Sequence, residues 1–415
     1  MIPVTARVAW TKRSGAAYQV ATCGTWLAFV WATTHWYSWQ RTVDLLFGSD
    51  MPEYERVARA APGFPDQPLP SQHADRFVPH YLVGLGSDVL HAGLRPLYYA
   101  CAFLLLGLIV LLVDRLIAPL RLGRLEYAFC IGALVANPYL FRFLAICPAR
   151  LADSVFIAGG LLALLGLLRG NSWTLVAGLV AATLGRSEAV FPLVALAPVG
   201  IALSPDWRSR PPRSRLAAAA SAFIVPLAVY GAIRVVDHTF SVRDHPGFFG
   251  LTIFGSLREL PQSGGRIGLH VARIVVGIAG AVAVLAGALV ARRLSRAEPL
   301  PFAFWAGLAG GVAISGEAFI LNPSWIKGSE PLLSALGAAL FVVAAAAALG
   351  ALGRDRWPIP RWAALLALAG LVGTSLHHRF AEISPVSTPG QYAALAAVSA
   401  AAIAAAVALG PRRAG

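Results

Sequence analysis

Apolar runs close to twenty residues long recur along almost the whole chain, and they constrain the fold more than any other feature. About 20 apolar residues carry a helix across the hydrocarbon core of a bilayer. Within lipid, only structures that pair their own backbone groups survive. The runs lie at 18–37, 97–113, 125–143, 154–168, 173–184, 190–203, 216–235, 268–291, 300–321, 332–352, 362–376 and 392–409. The fifth and sixth are short and are interrupted by Arg186 and Glu188, so they read as two spans, one long helix or a re-entrant pair. The first follows Lys12 and Arg13 as a signal peptide would. It is long, holds Trp26, Trp31 and Trp36, and lacks a small-residue cleavage site, which makes it a retained anchor.

Composition agrees. Apolar residues make up 57% of the 415 and charged residues 13%, against about a quarter charged in soluble domains. Such a chain cannot clothe itself in polar surface, which excludes a soluble enzyme, a disordered chain and a secreted disulfide scaffold. The expected fold is an all-α polytopic membrane protein of about twelve transmembrane helices, with residues 1–415 forming a single transmembrane domain. Cys23, Cys101, Cys130 and Cys147 lie in or beside apolar runs without CxxC or Cys/His spacing, and read as packing residues rather than a metal site.

The net charge of +14 is distributed unevenly. With the N-terminus inside, the inner segments hold 19 of the 34 basic residues and five of the 20 acids; everything else holds 15 of each. Arginine-dense short loops mark the cytoplasmic side. The densest is the central loop 204–215, with Arg208, Arg210, Arg213 and Arg215. Both termini are therefore expected in the cytoplasm, and no nucleic-acid partner is implied.

The longest connection, 38–95, falls on the outer side. A long ordered loop in a compact protein is usually functional. Within it, Tyr54, Val57, Ala58 and Ala61 recur at helical spacing, which predicts a short amphipathic helix lying on the outer membrane surface. Asp50 stands at its start with Pro52 and Glu53. Asp50 and Glu53 match a helix capping box; alternatively Asp50 is a general base facing a membrane-edge cavity.

Other ionisable residues sit where hydrocarbon makes them costly. Arg150 and Asp153 are three apart at the start of the fourth span and form a helical pair or a site. Arg186 and Glu188 form a charged outer turn or a site. Glu317, in the ninth span, requires a partner or a cavity. Lys327 and Glu330 flank an outer turn. Arg234, Asp237, His238, Arg243, Asp244 and His245 read as a solvated loop, and His377, His378 and Arg379 as interfacial anchors.

These residues resemble the GT-C superfamily of integral membrane glycosyltransferases, most closely the branch of protein O-mannosyltransferases and lipid A aminoarabinose transferases. The likeness rests on Asp50-Met51-Pro52-Glu53-Tyr54 after the first span, on RFVPHYLVGLG and GLRPLYYACAF before the second, on Pro148, Arg150 and Asp153 entering an apolar span, and on the GRSEAVFPL break. It covers roughly the first 200 residues. It implies a membrane enzyme acting at the extracytoplasmic face, which moves a sugar from a polyprenyl-phosphate carrier to a hydroxyl of a cell-envelope glycan, lipid or protein. Asp50 would be the base. Arg150, Arg186 and Lys327 would hold the lipid phosphate, with Arg76 and His80 as second-rank candidates and Glu53, Asp153 and Glu188 in support. Many relatives carry paired acids in the first loop, whereas Asp50 is followed by Met51 and Pro52, so no metal or cofactor is expected. The rival reading is a twelve-helix secondary transporter of the major-facilitator type. Loop 204–215 would divide it into halves of six, although the halves share no repeat.

Overall fold

The computed structural model describes residues 12–38, 50–120, 122–242, 266–295, 299–320, 330–352, 361–378, 380–384 and 388–409. Among these the chain is helical almost throughout. The principal helices are α1 (Lys12–Thr33), α2 (Asp50–Ala60), α3 (Phe77–Leu90), α4 (Leu94–Ile117), α5 (Arg124–Val135), α6 (Leu151–Leu168), α7 (Ser172–Gly185) and α8 (Phe191–Leu203). There follow α9 (Pro212–Asp237), α10 (Arg266–Ser295), α11 (Phe302–Ser315), α12 (Glu317–Ile320), α13 (Glu330–Ala335), α14 (Ala338–Gly350), α15 (Arg361–Ser375) and α16 (Pro389–Leu409). The described strands are two residues each: β1 (Leu69–Pro70) runs parallel to β2 (Ser241–Val242), with Leu69 opposite Ser241.

Among the described residues, four helices are long and apolar enough to cross a membrane: Leu94–Leu120, Leu151–Leu168, Pro212–Asp237 and Gly268–Arg293. A fifth results if Arg124–Val135 and Pro138–Ile146, bent by 41°, are one broken span. Four or five of the expected about twelve spans are thus full-length among the described residues. Helices α7, α8, α11, α14 and α15 have 13 to 15 residues, which at 1.5 Å each span only about 20–23 Å. Region 173–203 resolves into two helices meeting at Arg186–Val190, not one long helix.

Small residues set the packing. Gly159 on α6 lies against Gly178 and Ala182 of α7, and Gly178 against Ala163. Close approach of this kind maximises dispersion where the hydrophobic effect cannot join helices. Helix α14 is buried on every side, from Ala338 to Leu349, the expected fate of a helix apolar all round.

Several hydrogen bonds join distant segments. Tyr18 donates to the Arg124 carbonyl (2.7 Å), Tyr127 to Asp114 (3.0 Å) and Trp207 to the Leu167 carbonyl (3.0 Å). The His35 amide donates to the Phe380 carbonyl (3.3 Å) and the Leu69 amide to the Phe240 carbonyl (2.9 Å).

Helix α2 is amphipathic as its spacing predicts, but protein covers its apolar face. Met51, Tyr54, Val57 and Ala58 are buried. Gly84 of α3 lies directly on the Ala58 carbonyl, where any side chain would collide. The helix therefore docks on α3 rather than lying with that face in lipid.

Candidate functional site

The start of α3, the start of α6, the α7–α8 break, the end of α9 and the start of α12 bring their ionisable residues together. All are helix ends or breaks, where free backbone groups and chain reversals admit polar side chains. The hub is Arg186, 4% exposed, which follows the last residue of α7. Its Nη1 donates to Asp153 Oδ1 at 2.8 Å and its Nη2 to Glu317 Oε1 at 2.9 Å. Asp153 Oδ2 also faces Arg150 Nη1 at 3.6 Å. Arg186 thus pairs with Asp153 and Glu317 instead of closing an isolated turn with Glu188, and Glu317 finds the partner its position requires.

A second group adjoins this one. Asp75, 7% exposed, accepts from the Ser187 hydroxyl at 3.5 Å and faces Arg76 Nε at 3.8 Å. Burial pushes the Asp75 carboxyl up, while Arg76, Arg186 and Arg234 oppose the rise. Glu188 lies within reach of the charges of Asp75, Arg234, Arg76 and Glu317. Burial first, then Asp75, pushes it up to about 8. Arg234 pairs with Asp237 at 3.0 Å, so the expected solvated loop begins with a member of the cluster.

His80 does not supply a cation. Its ring stacks on Tyr54 (4.1 Å between centroids, 11° between planes), and Nδ1 shares a hydrogen bond with the Tyr98 hydroxyl at 3.1 Å. Burial pushes it down to about 3, against the pull of Asp153. The neutral imidazole helps seat α2 on α3 and α4. Arg76, half-buried beside Asp75, remains a cation of the cluster.

Asp50 is the first helical residue of α2 and Pro52 lies in the first turn, as expected; the Asp50 side chain lies outside the description. Glu53 pairs with Arg56 at 2.5 Å, and the expected capping box lies outside the described residues. The start of α2 rests on the turn that carries Arg150: Met51 Sδ lies 3.8 Å from Cys147 Sγ, just before Pro148–Arg150. Lys327 lies outside the described residues. Glu330 opens α13 beside the undescribed segment, is 1% exposed, and faces His270 Nδ1 at 3.3 Å and Arg273 Nη1 at 3.4 Å. His377 is likewise buried and shares a hydrogen bond with Tyr139 at 3.2 Å, while His378 is exposed.

A narrow slot of about 30 Å³ runs into the hub. Leu140, Phe143 and Leu144 form one wall, Leu332, Leu333 and Leu336 the other, and Arg150, Asp153 and Arg186 the polar end. The first wall is shaped by a π-helical turn, Pro138–Arg142. Asn137 fixes that turn by accepting from the Tyr139 and Leu140 amides (2.9 and 3.2 Å) and donating to the Gly277 carbonyl (2.8 Å). Single π-turns inside helices are frequent at functional sites. Around the slot, Arg186 Nε and Glu317 Oε2 are buried without a hydrogen-bond partner among the described residues. Buried polar atoms are normally satisfied, so the hub has hydrogen-bonding capacity to spare. Among those residues no group of three or more His, Cys, Asp or Glu is placed to hold a metal.

Sequence reasoning named Asp75, Arg234 and Asp237 without placing them in the site, and it overlooked Ser187 and Arg142. Arg142 is fully buried, and no acid pairs with it among the described residues. Its Nη1 donates to the Val30 carbonyl (3.1 Å) and Thr34 (2.7 Å), its Nη2 to Thr33 (2.6 Å) and Ser375 (2.7 Å), tying α1 to α15. Nothing in the apolar segment around it signals that role. Comparison with family models, curated proteins and solved structures returned no match.

Proposed function

We propose that this chain is an integral membrane glycosyltransferase that transfers a sugar from a polyprenyl-phosphate carrier to an acceptor hydroxyl. The observation that carries the reading is the pair of guanidinium groups, Arg150 and Arg186, gathered at one buried place beside leucine and phenylalanine side chains, where they suit the phosphate of a lipid carrier. Cations are worth most where water is excluded. In the transfer, the acceptor hydroxyl gives its proton to Asp50 and its oxygen bonds the anomeric carbon. The bond from that carbon to the phosphate oxygen breaks, and polyprenyl phosphate departs with its added negative charge facing the arginines. The start of α2 beside the Arg150 turn supports Asp50 as the base.

In this reading the short apolar helices complete about twelve crossings of the cytoplasmic membrane. Both termini are cytoplasmic, and the site opens to the extracytoplasmic face, where a cell-envelope glycan, lipid or protein is the acceptor. The experiment is transfer of radiolabelled sugar from a polyprenyl-phosphate donor by the protein in reconstituted vesicles. Label moving to acceptor above protein-free vesicles supports the reading. No transfer from any polyprenyl-phosphate sugar, with folded protein confirmed, removes it.

A further inference from the structure

A separate cavity of about 730 Å³ opens at the corner of α2, α3 and α4. Helices α2 and α3 run side by side in the same direction: Tyr54 stacks on His80 and Ala58 meets Gly84. Both begin at the ionic cluster and end at this cavity. His80 and Ser87 are seven residues apart on α3, so the two places are separated by about 10 Å along the helix.

The cavity's ionisable lining is Arg59, His91 and Arg95 against Asp88 alone. Arg59 is exposed and pairs with Glu55 on its own helix through Nε (3.1 Å) and Nη2. Arg95 is exposed in the first turn of α4, a helix long and apolar enough to cross a membrane. A groove at the end of such a span lies at the depth of lipid headgroups. The faces of α3 and α4 turned away from the cavity are apolar. Leu82, Val89 and Leu90 of α3 are 58–75% exposed, and Phe103, Leu104, Leu108 and Leu111 of α4 are 40–74% exposed. No described part of the protein covers these faces, and hydrocarbon is the medium that suits them.

We infer that this cavity is a binding site for an anionic membrane phospholipid, independent of the proposed donor site. The phosphate sits between Arg59 and Arg95, and the acyl chains enter the surrounding bilayer. Basic residues next to a span attract anionic headgroups, while a soluble phosphate lacks the chains that the bilayer holds.

The test uses the full-length protein, delipidated in detergent and titrated with phosphatidylglycerol, phosphatidylcholine or glycerol 3-phosphate, with binding read by native mass spectrometry. Phosphatidylglycerol is expected to bind at least about tenfold more tightly than phosphatidylcholine. The double variant Arg59→Gln/Arg95→Gln is expected to lose that preference while keeping its elution profile and thermal midpoint. Arg59→Lys/Arg95→Lys, which tolerates any packing role of the stems, is expected to retain most of it. Equal binding of the two lipids, an unchanged preference in the Gln variant, or displacement of the lipid by millimolar glycerol 3-phosphate would each overturn the inference.

Discussion

Arg186 and Asp153 meet at 2.8 Å across 33 residues of chain, and the same guanidinium holds Glu317 from a third helix at 2.9 Å. One side chain therefore compensates a buried acid of α6 and a half-buried acid of α12. Arg150 stands apart from this arrangement: it faces the other Asp153 oxygen at 3.6 Å and is the more exposed of the two arginines.

The two arginines will thus respond differently to removal. Arg186→Ala strands Asp153 and Glu317 in a poorly solvated site, and breaking a buried pair from one side costs about 3–5 kcal/mol. Little monodisperse protein is expected from detergent extracts. Arg150→Ala leaves Asp153 compensated by Arg186, so the protein is expected to fold and, under the proposed function, to bind the polyprenyl-phosphate donor more weakly. Size-exclusion profiles and donor binding measured together separate the effects. A well-folded Arg186→Ala with normal donor affinity would remove that residue from both roles.

Glu188 makes stability depend on pH. Its carboxyl, ordinarily near 4.5, is pushed up to about 8 in the fold. Between those values the folded state binds the proton more tightly than the unfolded chain. The contribution is fully present below about pH 4.5 and is lost as pH rises through about 8. The thermal midpoint is expected to fall from pH 5 to pH 8.5, and Glu188→Gln is expected to flatten that slope. Asp75, also pushed up by burial, leaves a residual slope of the same sign. Melting curves across this range decide the matter; identical slopes in parent and variant would contradict the assignment.

The helical, membrane-embedded class was legible because hydrocarbon imposes it: long apolar runs and scarce charge admit few other folds. Glu317 was legible as a residue in need of a partner for the same reason. Which partner it takes was not, because Arg186 lies 131 positions away and the pairing depends on how α7, α8 and α12 end. The docking of α2 illustrates the same limit. Its spacing shows an apolar face, and lipid and protein are equally good covers for such a face. Only the fit of Gly84 against Ala58 reveals which one is used. Arg142 was illegible because hydroxyls and a carbonyl satisfy it, and Thr33, Thr34 and Ser375 leave no charged trace in the sequence.

Gly84 makes a sharp stability test. A methyl group there would collide with the Ala58 backbone and push α2 off α3, and overpacking of this kind costs about 1–3 kcal/mol. Gly107 on α4 has open space around it, and Gly→Ala inside a helix gains about 0.5–1 kcal/mol. Gly84→Ala is expected to lower the thermal midpoint while Gly107→Ala holds or raises it. Equal effects would mean that α2 is not seated as described.

The charge distribution predicts the topology. A reporter active only in the cytoplasm is expected to work when fused after Arg413 or inside 208–215, and to be silent near Pro65. A cytoplasmic signal at Pro65 would invert the proposed location of the site.

Asp50 carries the most weight in the proposed mechanism, and one substitution tests it cleanly. As a helix cap, Asp50→Asn would be nearly silent, since Asn caps about as well as Asp. As a general base, the same change removes the only oxygen able to take the proton, and the expected loss is on the order of 10²–10⁴ in rate. Glu53→Gln is the control. Glu53 pairs with Arg56 at the surface of α2, and exposed pairs are worth roughly 0.2–1 kcal/mol, so transfer is expected to stay near normal. The assay is sugar transfer in vesicles at matched protein levels, over a pH series. Near-normal transfer by Asp50→Asn would leave Asp50 a cap and send the search for the base to Glu188 and Asp75, the acids that burial already holds at raised proton affinity.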